Sequence, residues 1–356
     1  MHIESHLDAI RACRFCFMCR HLSPIGNVTF RESDTPRGRA LLLDKVVKNS
    51  RLWEEPDFGG TIYDADLSAA CRQHCVSHYD EAGLMLAARR DLVEAGRAPA
   101  AVRALMGELA GSEVTSRGDP AAEVLYYETG QAALQQPEIA AAMEHILKWA
   151  GISCRIVSSG DSGKGLNVLG YVEEARTQAR KVAQEVMKRP ARILLASCPA
   201  AYDAFRNDYL ALGVSLGENL EILHTSDYIL RLLREGRLKC RRAVGLKIFP
   251  LASDYLRNYT KDHVAVAQVL EALGVETVPF GTNREESYTA GEGAVVLDRL
   301  NPRLVERLSR QVVNRIQNPA EDVLLTASPY TKYALLKFGG KQIHVTTVEE
   351  IARGLI

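Results

Sequence analysis

Three cysteines near the start of the chain constrain its fold and chemistry more than any other feature. They stand in the run Cys13-Arg-Phe-Cys16-Phe-Met-Cys19, in which two residues separate each neighbouring pair. This is the first part of the pattern C-x2-C-x2-C-x3-C-P, which binds iron–sulfur clusters. Where two clusters are bound, the last cysteine of that pattern ligates the other cluster. The first cluster must therefore take its fourth ligand from a distant motif.

A second motif, Cys71-Arg-Gln-His-Cys75, supplies a candidate for that fourth ligand. Thiolates are the ligands that hold such clusters, and their spacing at steps of three lets three of them converge on one iron–sulfide core. The sequence therefore predicts one cubane [4Fe–4S] cluster held by Cys13, Cys16, Cys19 and Cys75. Its expected role is to pass single electrons.

Two other uses of these cysteines are open. A structural zinc site could employ three or four of them, although zinc motifs more often come as two C-x2-C pairs. Disulfides fit less well, because the chain has 8 cysteines in 356 residues and does not begin with an apolar secretory segment. Reduced thiols in the cytoplasm are the expectation.

The charge balance and the hydrophobic pattern exclude two classes of function. Lys plus Arg and Asp plus Glu both number 44, so the chain lacks the basic excess that nucleic-acid binding needs. No run of about 18 apolar residues occurs, so no transmembrane segment is expected. We expect a cytoplasmic protein, with peripheral attachment to a membrane through a partner left open.

Changes in pattern along the chain predict three domains. Residues 1–112 indicate short helices around a cysteine-bearing loop, and the polar stretch 111–120 is typical of a linker. Strand and helix patterns then alternate twice in the same order, over 121–235 and 241–356. This predicts a mixed fold, α+β and α/β, in which a helical iron–sulfur domain precedes a duplicated α/β body with parallel sheets.

The chain resembles a known family over nearly its whole length. The resemblance rests on the first cysteine run, on Thr35-Pro36-Arg37-Gly38-Arg39 in place of S-P-R-G-R, on Cys71-x3-Cys75 and on Ser197-Cys198-Pro199. These features are similar to those of the iron–sulfur subunits related to heterodisulfide reductase, glycolate oxidase and anaerobic glycerol-3-phosphate dehydrogenase. In that family a ferredoxin-like domain with two clusters precedes two copies of a cysteine-rich, CCG-type module.

The resemblance implies a crossed ligation pattern that this chain can complete only once. One cluster uses the positions of Cys13, Cys16, Cys19 and Cys75, which are all thiols. The other uses four positions of which one is a thiol, namely Ser23, Ala65, Ser68 and Cys71. Cys71 is then spare, and we expect a small buried residue beside the cluster. A substitute fourth ligand is its alternative role.

The CCG-type modules have lost most of their ligands as well. The first CCG position reads Asp161-Ser162-Gly163, and the first C-P-x-C keeps one cysteine in Cys198-Pro199-Ala200-Ala201. In the second copy the corresponding segments are Ser287-Tyr288-Thr289 and Ser328-Pro329-Tyr330-Thr331. Thiolates hold clusters, so the body is expected to bind no metal.

The function that the resemblance implies is that of an electron-transfer subunit. Electrons would pass from a flavoprotein dehydrogenase partner through the one cluster to an electron-transfer flavoprotein or a quinone-linked acceptor. A scaffold, assembly or redox-sensing protein with a structural cluster is the alternative. A hydrolase or transferase lined by Asp161, Ser162 and Tyr288 is a third, although no catalytic motif supports it and no catalytic residue is assigned.

Two smaller expectations concern the surroundings of these motifs. Phe15, Phe17 and Met18 alternate with the ligands and are predicted to shield the cluster from water. The loop Gly160-Asp-Ser-Gly163-Lys164-Gly165 looks like a phosphate loop, but Gly165 stands where that motif needs Ser or Thr. We expect an ordinary turn there.

Overall fold

The chain consists of helices and two mainly parallel sheets in the computed structural model, which describes residues 1–130, 134–241, 243, 245–281, 288–319 and 321–356. The segment before the first strand is helical. Its α-helices, joined by short 3-10 turns, are Leu7–Cys13, Pro24–Thr29, Pro36–Lys48, Pro56–Tyr63, Glu81–Glu94 and Ala100–Ala110.

Polar side chains fix where these helices begin. Thr35 Oγ1 accepts the backbone N–H of Gly38 at 3.1 Å, and an Asp80 carboxylate oxygen accepts that of Gly83 at 2.9 Å. Such caps satisfy donors that the first helical turn leaves free. Gly38 is required for a second reason, since a Cβ atom there would lie 1.8 Å from the carbonyl oxygen of Glu32.

The first sheet has five strands in the order β1-β3-β2-β4-β5. They are β1 Val114–Gly118, β2 Val124–Thr129, β3 Cys154–Ser159, β4 Ile193–Ala196 and β5 Glu221–His224. Strands β2 to β5 are parallel, and β1 pairs antiparallel with β3. The prediction of a linker over 111–120 is therefore wrong. Because β1 is an edge strand with mostly exposed side chains, it carries no apolar alternation.

The second sheet has four parallel strands in the order β7-β6-β8-β9. They are β6 Lys247–Leu251, β7 Glu276–Thr277, β8 Val323–Thr326 and β9 His344–Thr346. Strand β7 has 2 residues. The strand order of the second sheet matches that of β3-β2-β4-β5 in the first sheet, which is the pattern that a duplication would give. The duplication and the three domain boundaries stay predictions.

Helices cover the faces of both sheets. They are Pro137–Trp149, Lys164–Leu169, Val172–Met187, Pro199–Asp203, Tyr209–Ala211, Thr225–Arg234, Val264–Ala272, Leu297–Leu300, Pro302–Val313, Pro329–Phe338 and Val348–Leu355. Two single turns of π-helix, Ala204–Asp208 and Tyr255–Tyr259, extend this set. The predicted class, a mixed α/β fold with parallel sheets, is confirmed.

A buried arginine joins the helical segment to the first sheet's helices. Arg89 is fully buried, and its guanidinium donates to the carbonyls of Val168 and Ala65, each at 2.9 Å. Burial lowers the pKa of Arg89 to about 10. Its hydrogen bonds to carbonyls from both segments hold them in a fixed relation. Within the described residues, no helix has both the length and the apolar character needed to cross a membrane.

Candidate metal centre

The four predicted ligands meet at one cavity in the helical segment. Cys13, Cys16, Cys19 and Cys75 all line this space, which has a volume of about 490 Å³. Cys16 is exposed and the other three are half-buried. We call this group of four thiols and its cavity the cysteine centre.

Short local hydrogen bonds aim these thiols at the cavity. Cys13 is the last residue of the helix Leu7–Cys13, and the N–H of Cys16 donates to its carbonyl at 2.9 Å. On the other side, the N–H of Cys75 donates to the carbonyl of Cys71 at 3.0 Å. The Cys75 Sγ then accepts the N–H of Tyr79 at 3.1 Å. The two motifs therefore face each other as tight turns.

The thiols affect one another's ionisation. Burial, followed by the proximity of Cys75, Cys19 and Cys16, raises the pKa of Cys13 to about 12. Repulsion between neighbouring thiolates is one cause of this shift, and a cationic metal core relieves it because metal binding releases thiol protons. The donor set is therefore suited to a metal rather than to a free nucleophile.

Large apolar side chains near the cysteine centre are exposed to solvent. Phe15 is 74% exposed, Phe17 72%, Met18 57% and Val76 82%. Met18 also lines the cavity, and the Phe15 ring lies against the Arg14 guanidinium, so the prediction that Phe15, Phe17 and Met18 shield the centre stays a prediction. We call these four residues the apolar rim. Adjacent exposed apolar side chains are typical of surfaces that bind other proteins.

Cys71 lies behind the centre rather than in it. Its thiol is buried, does not line the cavity and lies 3.9 Å from a carboxylate oxygen of Glu81. A hydrogen bond between Cys71 and Cys19 lowers the pKa of Cys19 and raises that of Cys71. This placement agrees with the expectation of a small buried residue beside the ligands.

The other three positions of the second ligand set are also buried. Two of them, Ser23 and Ser68, make structural hydrogen bonds. The Ser23 hydroxyl oxygen accepts the N–H of Gly26 at 3.2 Å and so caps the helix Pro24–Thr29. The carbonyl of Ser68 accepts the side-chain amide of Asn258 at 2.7 Å, which connects this segment to the second sheet's side of the molecule. Ala65 is fully buried.

A buried ion pair lies beside these positions. Arg39 and Glu81 form a short salt bridge, and both side chains are almost fully buried. Asp66 is also buried, and burial raises its pKa to about 6. Arg39 belongs to the Thr35–Arg39 motif, but no local pattern in the sequence indicates that its partner is Glu81, 42 positions further on.

Three of the four segments that the sequence analysis compares with CCG and C-P-x-C motifs meet at a second cavity, between the two sheets. Asp161, Ser162, Cys198 and Ser328 line it, whereas Ser287 lies outside the described residues. Tyr288, the third residue of the expected polar lining, is not part of its wall. The Asp161 carboxylate accepts the N–H groups of Gly165 at 2.9 Å and Leu166 at 3.3 Å, so it caps a helix.

Comparisons with known proteins show a distant relative and solved structures with a similar fold. No protein-family model matches the chain. The EtfAB:quinone oxidoreductase of Syntrophomonas wolfei subsp. wolfei (strain DSM 2245B / Goettingen) is 21% identical over 200 residues, which are 53% of this chain and 27% of that protein's length. This chain therefore matches a minor part of that relative.

Among solved structures, a hypothetical protein from Helicobacter pylori is similar with a TM-score of 0.61 and 9% sequence identity. The match covers 99% of this chain and 76% of that one. At such low identity the likeness shows the fold alone.

Proposed function

We propose that this chain is an electron-transfer subunit that carries one [4Fe–4S] cluster on Cys13, Cys16, Cys19 and Cys75. It relays electrons from a flavin-dependent dehydrogenase partner to a downstream acceptor. The observation that carries this proposal is the convergence of four thiols, from two distant motifs, on one open cavity of about 490 Å³.

The number and type of the residues in the cysteine centre support such a cluster. Four thiolates are the usual ligand set, and when bound the cluster supplies reversible one-electron chemistry. The N–H of Tyr79 donates to Cys75 Sγ, and Cys71 hydrogen-bonds with Cys19. Hydrogen bonds to ligand sulfurs and exposure to solvent set the reduction potential of such centres. These two contacts are therefore expected to tune it.

The apolar rim supports a protein partner. Phe15, Phe17, Met18 and Val76 expose aromatic and aliphatic surface around the thiol that is most accessible, Cys16. Aromatic residues and Met are enriched where proteins bind one another. The name of the distant relative combines an electron-transfer flavoprotein with a quinone, which supports acceptors of those two kinds.

Stopped-flow mixing of the reduced protein with an oxidised electron-transfer flavoprotein tests the proposal. Flavin reduction should accompany oxidation of the protein, and Cys16→Ser should abolish both. Val76→Ser should slow the reaction at least about ten-fold if the rim is a binding hot spot. A small inorganic oxidant should react with Val76→Ser at an unchanged rate, because it needs no docking surface.

Leu210→Ser is the matched control for the rim variant. Leu210 and Val76 are both 82% exposed, but Leu210 lies on the body. Its substitution should leave the reaction with the flavoprotein unchanged. If the wild-type protein reduces no flavoprotein and no quinone, or if Cys16→Ser still does, the electron-transfer role is wrong. A structural or sensing role for the centre would then explain the cysteines better.

A further inference from the structure

The cavity between the two sheets is formed by the carboxyl ends of their strands. Thr129 is the last residue of β2, Cys198 follows β4 by two residues, and Ser328 follows β8 by two residues. All three line the same space, which has a volume of about 80 Å³. We call it the inter-sheet cavity. It is separate from the cysteine centre, and the two share no lining residue among those described.

The topology of both sheets marks this place as a ligand site. In the first sheet the chain passes from β2 to β3 on one side and then to β4 on the other side of β2. In the second sheet it passes from β6 to β7 and then to β8 in the same way. Open α/β sheets bind ligands outside the carboxyl ends of their strands, at such reversals of direction. Here two of these reversals face one cavity.

The wall of the inter-sheet cavity is acidic. Asp161, Glu292 and Asp298 contribute carboxyl groups to it. Burial raises the pKa of all three, that of Glu292 to about 7. Glu292 accepts hydrogen bonds from Ser253 Oγ and the N–H of Asp254, each at 2.8 Å. Hydrogen bonds position this carboxyl group, but neither donor carries a positive charge.

The cationic side chains on the described wall are already paired with acids. Lys164 Nζ lies 2.5 Å from Asp203 and 2.9 Å from Asp208. Arg299 lies 2.7 Å from Glu108. These cations are therefore engaged elsewhere when Glu292 ionises, so above about pH 7 the wall disfavours phosphate and carboxylate ligands and favours a cation.

An adjoining cavity adds a hydrogen-bond acceptor without a donor. Its volume is about 140 Å³, and Thr129, Cys198 and Pro329 line both spaces. Gln136 lines this second space and is about nine-tenths buried, yet its Oε1 has no hydrogen-bond partner among the described residues. A buried carbonyl oxygen without a donor is costly, so an N–H group from a ligand would satisfy it.

We propose that the inter-sheet cavity binds a small organic ammonium ion, that is, a protonated primary amine with a short apolar chain. Its charged N–H group pairs with the Glu292 carboxylate. Its carbon chain lies against the apolar part of the wall, which includes Leu109, Ala201 and Val296. A charge-assisted hydrogen bond is stronger than a neutral one, and in a buried site it is stronger still. This binding needs no metal and is independent of the cysteine centre.

Calorimetric titration of the full-length protein at pH 8 with n-propylammonium, propionate and 1-propanol tests the proposal. The three probes have the same chain length and differ in charge. We expect n-propylammonium to bind in a 1:1 ratio, and the other two to bind at least about ten-fold more weakly. Propionate binding as tightly as n-propylammonium, or no binding of the ammonium ion, would overturn the proposal.

Two variants and one chemical probe locate the site. Glu292→Gln should weaken n-propylammonium binding at least about ten-fold, whereas Glu218→Gln, at an exposed position, should not change it. Unchanged affinity in folded Glu292→Gln would contradict the assignment. If that variant does not fold, alkylation of wild-type Cys198 is followed by mass spectrometry. n-Propylammonium should slow the alkylation of Cys198 at least about five-fold and leave the alkylation rate of Cys240 unchanged. An unchanged alkylation rate at Cys198 would refute the proposal.

Discussion

The cysteine centre and the vacated second ligand set lie side by side and have opposite environments. The centre is an open cavity with exposed Cys16 and an apolar rim. Ser23, Ala65, Ser68 and Cys71 are buried, and the Arg39–Glu81 ion pair lies among them. The cysteine centre is therefore accessible to solvent, whereas the second set of four positions is part of the protein interior.

The difference shows what this chain builds where the family that it resembles has a second ligand set. The backbone beside these positions makes structural contacts with the body. The carbonyl of Leu67 accepts the hydroxyl of Tyr259 at 2.5 Å, and a Cβ atom on Gly293 would lie 2.3 Å from that same carbonyl oxygen. Because the packing is this close, we expect no second cluster here.

Substitutions of the ligand cysteines should have the largest effect, which is a loss of bound iron. Cys16→Ser and Cys75→Ser should each lower the iron content from about four atoms per chain to nearly none, because each removes one of four thiolates. Cys71→Ser is the control and should keep about four, since its thiol does not line the cavity. Iron and sulfide analysis of anaerobically purified variants measures this. Loss of iron in Cys71→Ser but not in Cys75→Ser would reverse the ligand assignment.

Breaking the buried ion pair should be the next largest effect. Arg39→Ala leaves the Glu81 carboxylate buried without its partner, which should cost about 3–5 kcal/mol in the free energy of unfolding. Arg37→Ala is a neighbouring control, because the half-exposed pair of Arg37 with Glu32 should contribute less than about 1 kcal/mol. Urea denaturation followed by circular dichroism measures both. Equal losses in the two variants would show that burial does not distinguish these pairs.

The body offers a third environment, a buried acid without a cationic partner among the described residues. Burial raises the pKa of Glu292 from 4.5 to about 7, so the folded state holds this proton more tightly than the unfolded state does. Stability should therefore fall by about 2–3 kcal/mol as the pH rises from 4.5 to 7. Glu292→Gln should flatten this part of the pH profile, and exposed Glu218→Gln should not. An unchanged slope in Glu292→Gln would contradict the shift.

Restoring the lost thiols should have the smallest effect on iron content. A variant with Ser23→Cys, Ala65→Cys and Ser68→Cys regains all four ligand positions of the second set together with Cys71. We expect it to keep about four irons, because Arg39 and the contacts of Leu67 occupy the surroundings. A gain to about eight irons would show that the vacated site retains its shape.

The sequence predicted those parts of the fold that depend on local apolar pattern. The alternation of strand and helix patterns predicted the parallel sheets, because strands such as β4 and β8 are short runs of mostly buried residues. The convergence of the two cysteine motifs was also predicted, since their spacing is tied to cluster geometry. In contrast, β1 was missed because its pairing with β3 uses the backbone and its side chains are polar.

Features that depend on distant parts of the chain could not be read from the sequence. The salt bridge of Arg39 with Glu81 and the contact of Leu67 with Tyr259 join residues that no local pattern relates. The exposure of Phe17 was also unpredictable, because aromatic residues are more often buried than not. The inter-sheet cavity exists only because two sheets point their carboxyl ends at each other.

We propose above all that this chain builds one iron–sulfur cluster and uses it for electron transfer. The most direct test is the iron, sulfide and zinc content of the anaerobically purified protein, together with its electron-spin spectrum before and after reduction. We predict about four irons and four sulfides per chain, and one signal that appears on reduction. About eight irons, zinc in place of iron, or an absence of any reducible signal would contradict it.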